Sequence, residues 1–385
     1  MTVDHDAMKL LNVLDGTPVW PPPVWLMRQA GRYLPEYRKL RATADNFVMF
    51  CTTPGLATEA TLQPVRRFGL DAAILFSDIL ILPWALGRRL RFAEGEGPRL
   101  SPIETEAEAA ALDPAAIGRA VEPVLETIGR VRGTLAADVP LIGFAGAPFT
   151  VACYMIDGRG GDFSRTRNLA YADPGLLATV IETVTEATID YLDRQVSAGV
   201  DCVMLFDSWA GMLPPDLFRA HVIFPTTRIV AALRARHPGV KIIGFPRLAG
   251  LNALAYVAET GVDALGMDTA ADPPVLARLL PRGVALQGNL DPLLLRAGGP
   301  SLLEAAGRIA EGLAGRPHVF NLGHGVLPDT PPEHVGALVE HLRGLEAPEI
   351  QPATQPGTQP GTHLGTQPAA SAGLAGPARG AISAA

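Results

Sequence analysis

Two arginines, Arg28 and Arg32, leave a short apolar run with Gly31 between them, and Arg38 and Arg41 follow closely. Guanidinium forks hold carboxylates or phosphates in a bidentate way that lysine cannot copy, so this spacing suits an anion clamp. Arginines after a strand also form solvated rims, so the pair needs company before it means a site. Company comes at the same kind of position elsewhere, just after other apolar runs: Asp78, residues 149–154, Asp207 with Ser208, Arg247, Asp268, Asn289 with Asp291, and His324 between two glycines. Singly, Asp78 could cap a helix, Asp207 could tie down a loop, and His324 could be a satisfied loop residue. Together they describe a face rich in arginine and carboxylate with one histidine. Its chemistry would be binding of a polyanion, with an aspartate placed for electrostatic stabilisation or proton transfer.

Other site chemistries fail on spacing. HExxH is absent, and Cys51, Cys153 and Cys202 form no CxxC and no zinc-type cluster. Ser208 in F-D-S-W lacks the leading glycine of a nucleophile elbow, and no lysine stands at the end of an apolar run. The site is expected to need no metal and no organic cofactor.

The elements that must carry these residues read as strands and helices in alternation. Residues 24–27, 72–76, 141–144, 202–206, 241–245, 264–267, 284–287 and 319–322 are apolar almost without a break, as parallel strands buried on both faces are. Helical periodicity follows over 56–68, 117–135, 174–198, 215–236, 252–260, 274–280, 301–313 and 332–345. The longest, 174–198, has Asp173 as N-cap, Pro174 at the first helical position and Gly199 as its stop. The pattern predicts an α/β protein, a single-domain (β/α)8 TIM barrel over 1–346. No G-x-G-x-x-G follows the first run and no P-loop occurs, which disfavours an open nucleotide-binding sheet. In a barrel the residues after the strands share one face, so the candidate residues converge.

From 347 to 385 the material changes to a Thr-Gln-Pro-Gly repeat and then Ala and Gly, too poor in apolar surface to offset the entropy of ordering. Disorder is expected there. A net charge of -7 speaks against nucleic acid or an anionic membrane as partner. With no signal-like start, no run of spanning length and few cysteines, the cytoplasm is the expected compartment.

Six segments then resemble one family: W-L-M-R-Q-A-G-R-Y-L-P-E-Y-R (25–38), F-S-D-I-L (76–80), G-F-A-G-A-P-F-T (143–150), F-D-S-W-A-G (206–211), Q-G-N-L-D-P (287–292) and N-L-G-H-G-V-L-P-D-T (321–330). They are similar to the uroporphyrinogen decarboxylases, in order, over roughly residues 5–345. The resemblance implies a cofactor-free (β/α)8 homodimer that takes carbon dioxide from the four acetate arms of uroporphyrinogen III. By the same resemblance Arg28, Arg32 and Arg41 meet substrate carboxylates and Gln29 lies in their binding segment. Asp78 is the central aspartate, Tyr154, Ser208 and His324 are polar contacts, and Phe206 is a wall of the pocket. Losing carbon dioxide leaves a carbanion unless the pyrrole is first protonated on carbon. One carboxylate facing the pyrrole N–H groups would stabilise the positive charge that then develops, and Asp78 is the candidate. The chain departs from the family at 244–250, where a shorter glycine-rich turn is usual, leaving Arg247 without an assigned role. The loop 158–164 is either a cover for the pocket or plain surface. Competing readings are a methyltransferase of the same superfamily, which would need zinc ligands, and a tetrapyrrole-binding protein without catalysis.

Overall fold

The computed structural model describes residues 8–93 and 97–348. The tail from 349 on therefore lies outside the described residues. Seven of the apolar runs pair as a parallel sheet in the order β1 (Ala73–Ile74), β4 (Leu141–Gly146), β5 (Cys202–Asp207), β6 (Lys241–Pro246), β7 (Ala264–Gly266), β8 (Ala285–Gln287) and β9 (His318–Val319). Almost every residue of β4 to β8 is buried, as expected of strands covered on both faces.

An aspartate just ahead of a strand repeatedly accepts an N–H at the start of the strand beside it. Asp201 does so for Leu141 at 2.6 Å and Asp263 for Ile242 at 2.8 Å. Asp71 does the same for Val24 at 2.8 Å, and its own N–H returns to the Val24 carbonyl at 2.9 Å. On the other side, Val24 bridges Phe320 in parallel, and the Phe320 N–H donates to the Pro23 carbonyl at 2.9 Å. The expected first strand is thus a single bridge residue with hydrogen bonds toward both β1 and β9. The register is set by carboxylates at the strand entrances as well as by the ladder.

Helices cover the sheet. Pro174–Ala198 forms as its sequence signals dictate: the Asp173 side chain accepts from the Leu176 N–H, and Gly199 is left-handed at φ 113°. It docks on β4 through Gln195, whose amide accepts from Phe144 N–H and donates to Phe144 C=O, both at 2.9 Å. A Cβ on Gly143 would stand 2.5 Å from that amide oxygen, so only glycine allows the approach. The expected helix over 215–236 is interrupted: Pro215–Phe218 and Phe224–Arg236 flank a π-turn at Arg219–Ile223. Residues 148–157, part of which the sequence places just after an apolar run with no helix expected, form the helix Pro148–Asp157. An antiparallel hairpin, β2 (Leu90–Ala93) with β3 (Gly97–Leu100), was not expected at all.

Candidate active site

The turn after residue 27 sets the site. Arg28 takes a left-handed φ of 59°, rare for a residue with a side chain. Gln29 holds this turn: its side-chain oxygen accepts from Leu26 N–H at 3.1 Å, and its amide donates to the Ala72 carbonyl at 3.2 Å. Gln29 is 0% exposed, so its side chain braces the backbone of the expected binding segment. Arg38 is likewise spent on the loop, donating to the Arg32 carbonyl at 2.7 Å and to that of Tyr33. Arg28 and Arg32 remain exposed, with no ion pair to a carboxylate among the described residues.

The strand β9 loop comes alongside through the Val326 N–H, which donates to the Met27 carbonyl at 2.9 Å. The Arg28 stem lies against Gly325, where an added Cβ would stand 2.6 Å from Cγ and closer still to Cδ. His324 therefore sits beside Arg28. Burial, then the charges of Arg28 and Arg247, push its imidazole down to about 4, so it is neutral at pH 7.

Asp78 follows β1. One carboxylate oxygen accepts from the Leu80 N–H at 2.8 Å, opening the short helix Ile81–Ala85; the other has no protein donor among the described residues. The residue is half-exposed yet recessed, and desolvation raises its carboxyl above the usual range, with the Leu80 N–H and Arg28 opposing. Tyr154, from Pro148–Asp157, feels both Asp78 and Arg28, and burial keeps its phenol protonated. The structure thus brings Asp78, Arg28, Tyr154, His324 and Arg247 into one electrostatic neighbourhood.

Arg32 and Arg41 act one step aside. The charges of both bear on the buried Tyr37, which also feels Asp78. The Arg41 guanidinium donates to the Ala44 carbonyl at 2.8 Å and lies 5.8 Å from the Phe50 ring centre, so part of its donor set is already used. Phe206 meets Phe144 edge-on at 5.4 Å and Phe245 at 6.2 Å, an apolar wall between the β4, β5 and β6 ends. Ser208, half-buried, lies two residues further on.

Sequence reasoning missed one buried arrangement. Thr150 donates to Asp207 at 2.5 Å and accepts from the Trp209 N–H at 3.1 Å, which fixes the turn that presents Ser208. Asp207 is 2% exposed, its second oxygen is unpartnered, and burial pushes its carboxyl up to about 7. The partners stand far apart in sequence, and no local pattern joins them. The 158–164 loop also proves to be pinned: Phe163 is buried with its ring 4.9 Å from Trp209 and 5.2 Å from Tyr154. Among the described residues no three His, Cys, Asp or Glu side chains gather as metal ligands, and no helix is long and apolar enough to cross a membrane.

This geometry suits a polyanion held by arginines over a recessed carboxylate. Comparison with known proteins gives the family. A family model described as "Uroporphyrinogen decarboxylase (URO-D)" matches residues 6–345. A uroporphyrinogen decarboxylase of Acidiphilium cryptum is 72% identical over 351 residues, covering 91% of this chain and 98% of that protein. One from Gluconacetobacter diazotrophicus is 56% identical over 345 residues, covering 87% and 98%. Among solved structures, a methyltransferase from Methanosarcina mazei superposes with a TM-score of 0.73 at 25% identity, covering 87% of this chain and 97% of that one.

Proposed function

The chain belongs to the uroporphyrinogen decarboxylase family, and we propose that the recess around Asp78 and Arg28 is where it binds and decarboxylates its substrate. The activity is that of haem biosynthesis: carbon dioxide leaves the four acetate arms of uroporphyrinogen III, and coproporphyrinogen III results. The Methanosarcina likeness is one of fold, whereas identity of 72% over nearly the whole chain concerns the function.

The fold is read as a (β/α)8 barrel in which residues 23–27 supply the eighth stave. Its support is the Asp71–Val24 contact, which repeats the strand-entrance device of Asp201 and Asp263. A catalytic domain of 1–346 and a cytoplasmic location, both expected from the sequence pattern, and a homodimer, implied by the resemblance, complete the reading.

Asp78 carries the mechanism. Its free oxygen accepts pyrrole N–H groups, and the ring over it is protonated on carbon beside the arm to be lost. The positive charge that spreads over that pyrrole is opposite a pre-placed, desolvated carboxylate, which strengthens the attraction and requires little reorganisation. The carbon–carboxyl bond then breaks and its electron pair flows into the cationic ring; a second proton on the exocyclic carbon completes the methyl, and the ring carbon gives up the first proton to restore the pyrrole. Arg28 has two tasks. It holds a substrate carboxylate and keeps Asp78 from drifting further toward the protonated form. Arg32 and Arg41 gather further carboxylates, while Phe206 presents an apolar surface to the macrocycle. Tyr154, protonated, and Ser208 supply hydrogen bonds, and neutral His324 binds without adding charge.

The observation that carries this reading is a recessed aspartate with one unsatisfied oxygen beside an arginine lacking a carboxylate partner, in a chain so similar to named decarboxylases. The test is purified protein with anaerobic uroporphyrinogen III, products being counted by carboxyl number. Stepwise loss of four carboxyls is expected. Tight binding with no loss would make the protein a tetrapyrrole carrier.

A further inference from the structure

Arg247 has no role in the reading above, and the fold invests heavily in placing it. Its N–H donates to the Asp207 carbonyl at 3.0 Å, and its own carbonyl accepts from the Gly211 N–H at 3.0 Å. The next residue, Leu248, is held at a left-handed φ of 59°, with its N–H on the Asp268 carboxylate at 2.6 Å. Any Cβ on Gly211 would collide with the Leu248 backbone, so the neighbouring loop can lie against this turn only as glycine. Backbone strain of this kind persists only where the surroundings over-determine it. Here three strand ends, β5, β6 and β7, do so.

The side chain so positioned is half-buried and has no carboxylate partner among the described residues. Elsewhere the chain pairs its arginines readily: Arg132 with Asp201, Arg219 with Glu259, Arg228 with Glu182 and Glu186. Of the acids on the strand-end face, Asp268 is engaged by the Leu248 and Ala270 N–H groups and Asp207 is buried and bonded to Thr150, and neither pairs with Arg247. In sheet order β6 is removed from β1 by β4 and β5, so Arg247 approaches from the side away from Asp78.

We propose that Arg247 binds a side-chain carboxylate of the tetrapyrrole other than the one being lost. This rests on the decarboxylase reading. Two features support it. Arg247 directly follows β6, on the strand-end face that also carries Asp78 and His324, and its charge bears on His324 as that of Arg28 does, whereas only Arg28 is felt at Asp78, where the chemistry occurs. An anchor that grips a spectator arm binds ground state and transition state alike, and so acts on KM more than on kcat. Because the propionate arms persist through every step, the same grip holds product as well as substrate.

The experiment compares wild type, Arg247→Ala and Arg247→Lys with anaerobic uroporphyrinogen III, and measures product inhibition by coproporphyrinogen III. Losing one charge-assisted contact predicts a KM for Arg247→Ala raised about tenfold to a hundredfold, kcat within about threefold, and product inhibition weakened in step. Arg247→Lys should recover part of the affinity, since charge returns without the fork. An unchanged KM in an active enzyme overturns the assignment. So does a fall in kcat at constant KM, or a loss that lysine cannot lessen while the melting temperature drops, which would mark a packing role. A wild type that releases no carbon dioxide refutes the decarboxylase reading itself.

Discussion

Gly325 offers a way to move Arg28 without removing it. Its backbone is not left-handed, so alanine meets no positive-φ penalty there, and the effect comes from the added methyl. That methyl would stand 2.6 Å from the Arg28 Cγ and 2.9 Å from Nε, against an ordinary carbon contact of ~3.5 Å. The arginine stem must therefore shift by about 1 Å. A misplacement of that size in a positioned group costs on the order of a hundredfold, or about 2.7 kcal/mol of transition-state stabilisation. The fold should lose little, because Arg28 is exposed and can swing outward, as surface changes within ~0.5 kcal/mol do. Gly325→Ala is thus expected to lower kcat/KM by about thirtyfold to a hundredfold with an almost unchanged melting temperature. The double variant with Arg28→Ala should be no worse than Arg28→Ala alone, because both act through one side chain. Full activity in Gly325→Ala, or additive losses in the double variant, would refute the placement of Arg28 at the reacting arm.

Asp78→Asn keeps an acceptor for the Leu80 N–H but removes the charge opposite the pyrrole cation, and turnover should fall at least about tenfold with the protein still folded; near-normal turnover would remove Asp78 from the mechanism. Arg32→Ala should weaken both KM and kcat, as a carboxylate contact that also orients does, and unchanged kinetics would return Arg32 to a solvated rim. For Asp207 the sign follows from its raised carboxyl. The unfolded chain releases this proton near pH 4 and the folded chain near 7, so the folded state binds more protons between them, and this group's contribution to stability falls as pH rises. The span from 3.8 to about 7 corresponds to ~4 kcal/mol. Denaturant midpoints of Asp207→Asn and wild type from pH 4.5 to 7.5 should therefore diverge in the variant's favour as pH rises. His324 and His318, both pushed down to about 4, destabilise toward acid in each protein and cancel in the difference, so a difference constant with pH would contradict the burial of the Asp207 charge.

What the sequence revealed and what it concealed divide along a physical line. The helix Pro174–Ala198 was legible to the residue because its cap, its first-turn proline and its glycine stop are all local signals. The interruption at Arg219–Ile223 was not, since a π-turn is a change in hydrogen-bond pattern with no residue signature of its own. Pro148–Asp157 was missed because its residues are buried all round, and a helix without a polar face has no period to detect. At the site, strand-end positions stood out because an apolar run that stops at a charge marks where a buried strand meets solvent. The fate of each side chain did not. Arg28 and Gln29 are neighbours and look equally suited to a ligand, yet one is exposed and the other is wholly buried. The difference arises from a left-handed residue whose φ is imposed by Asn321, which accepts the Met27 N–H at 2.9 Å, by Val326 and by the Ala72 carbonyl. These partners come from other strands, so the turn exists only once the sheet has assembled. Arg247 follows the same logic, because the contacts that aim it come from β5 and β7. The residues of the active face can be named from local pattern, but which of them point into it is a tertiary property, decided by hydrogen bonds between strand ends.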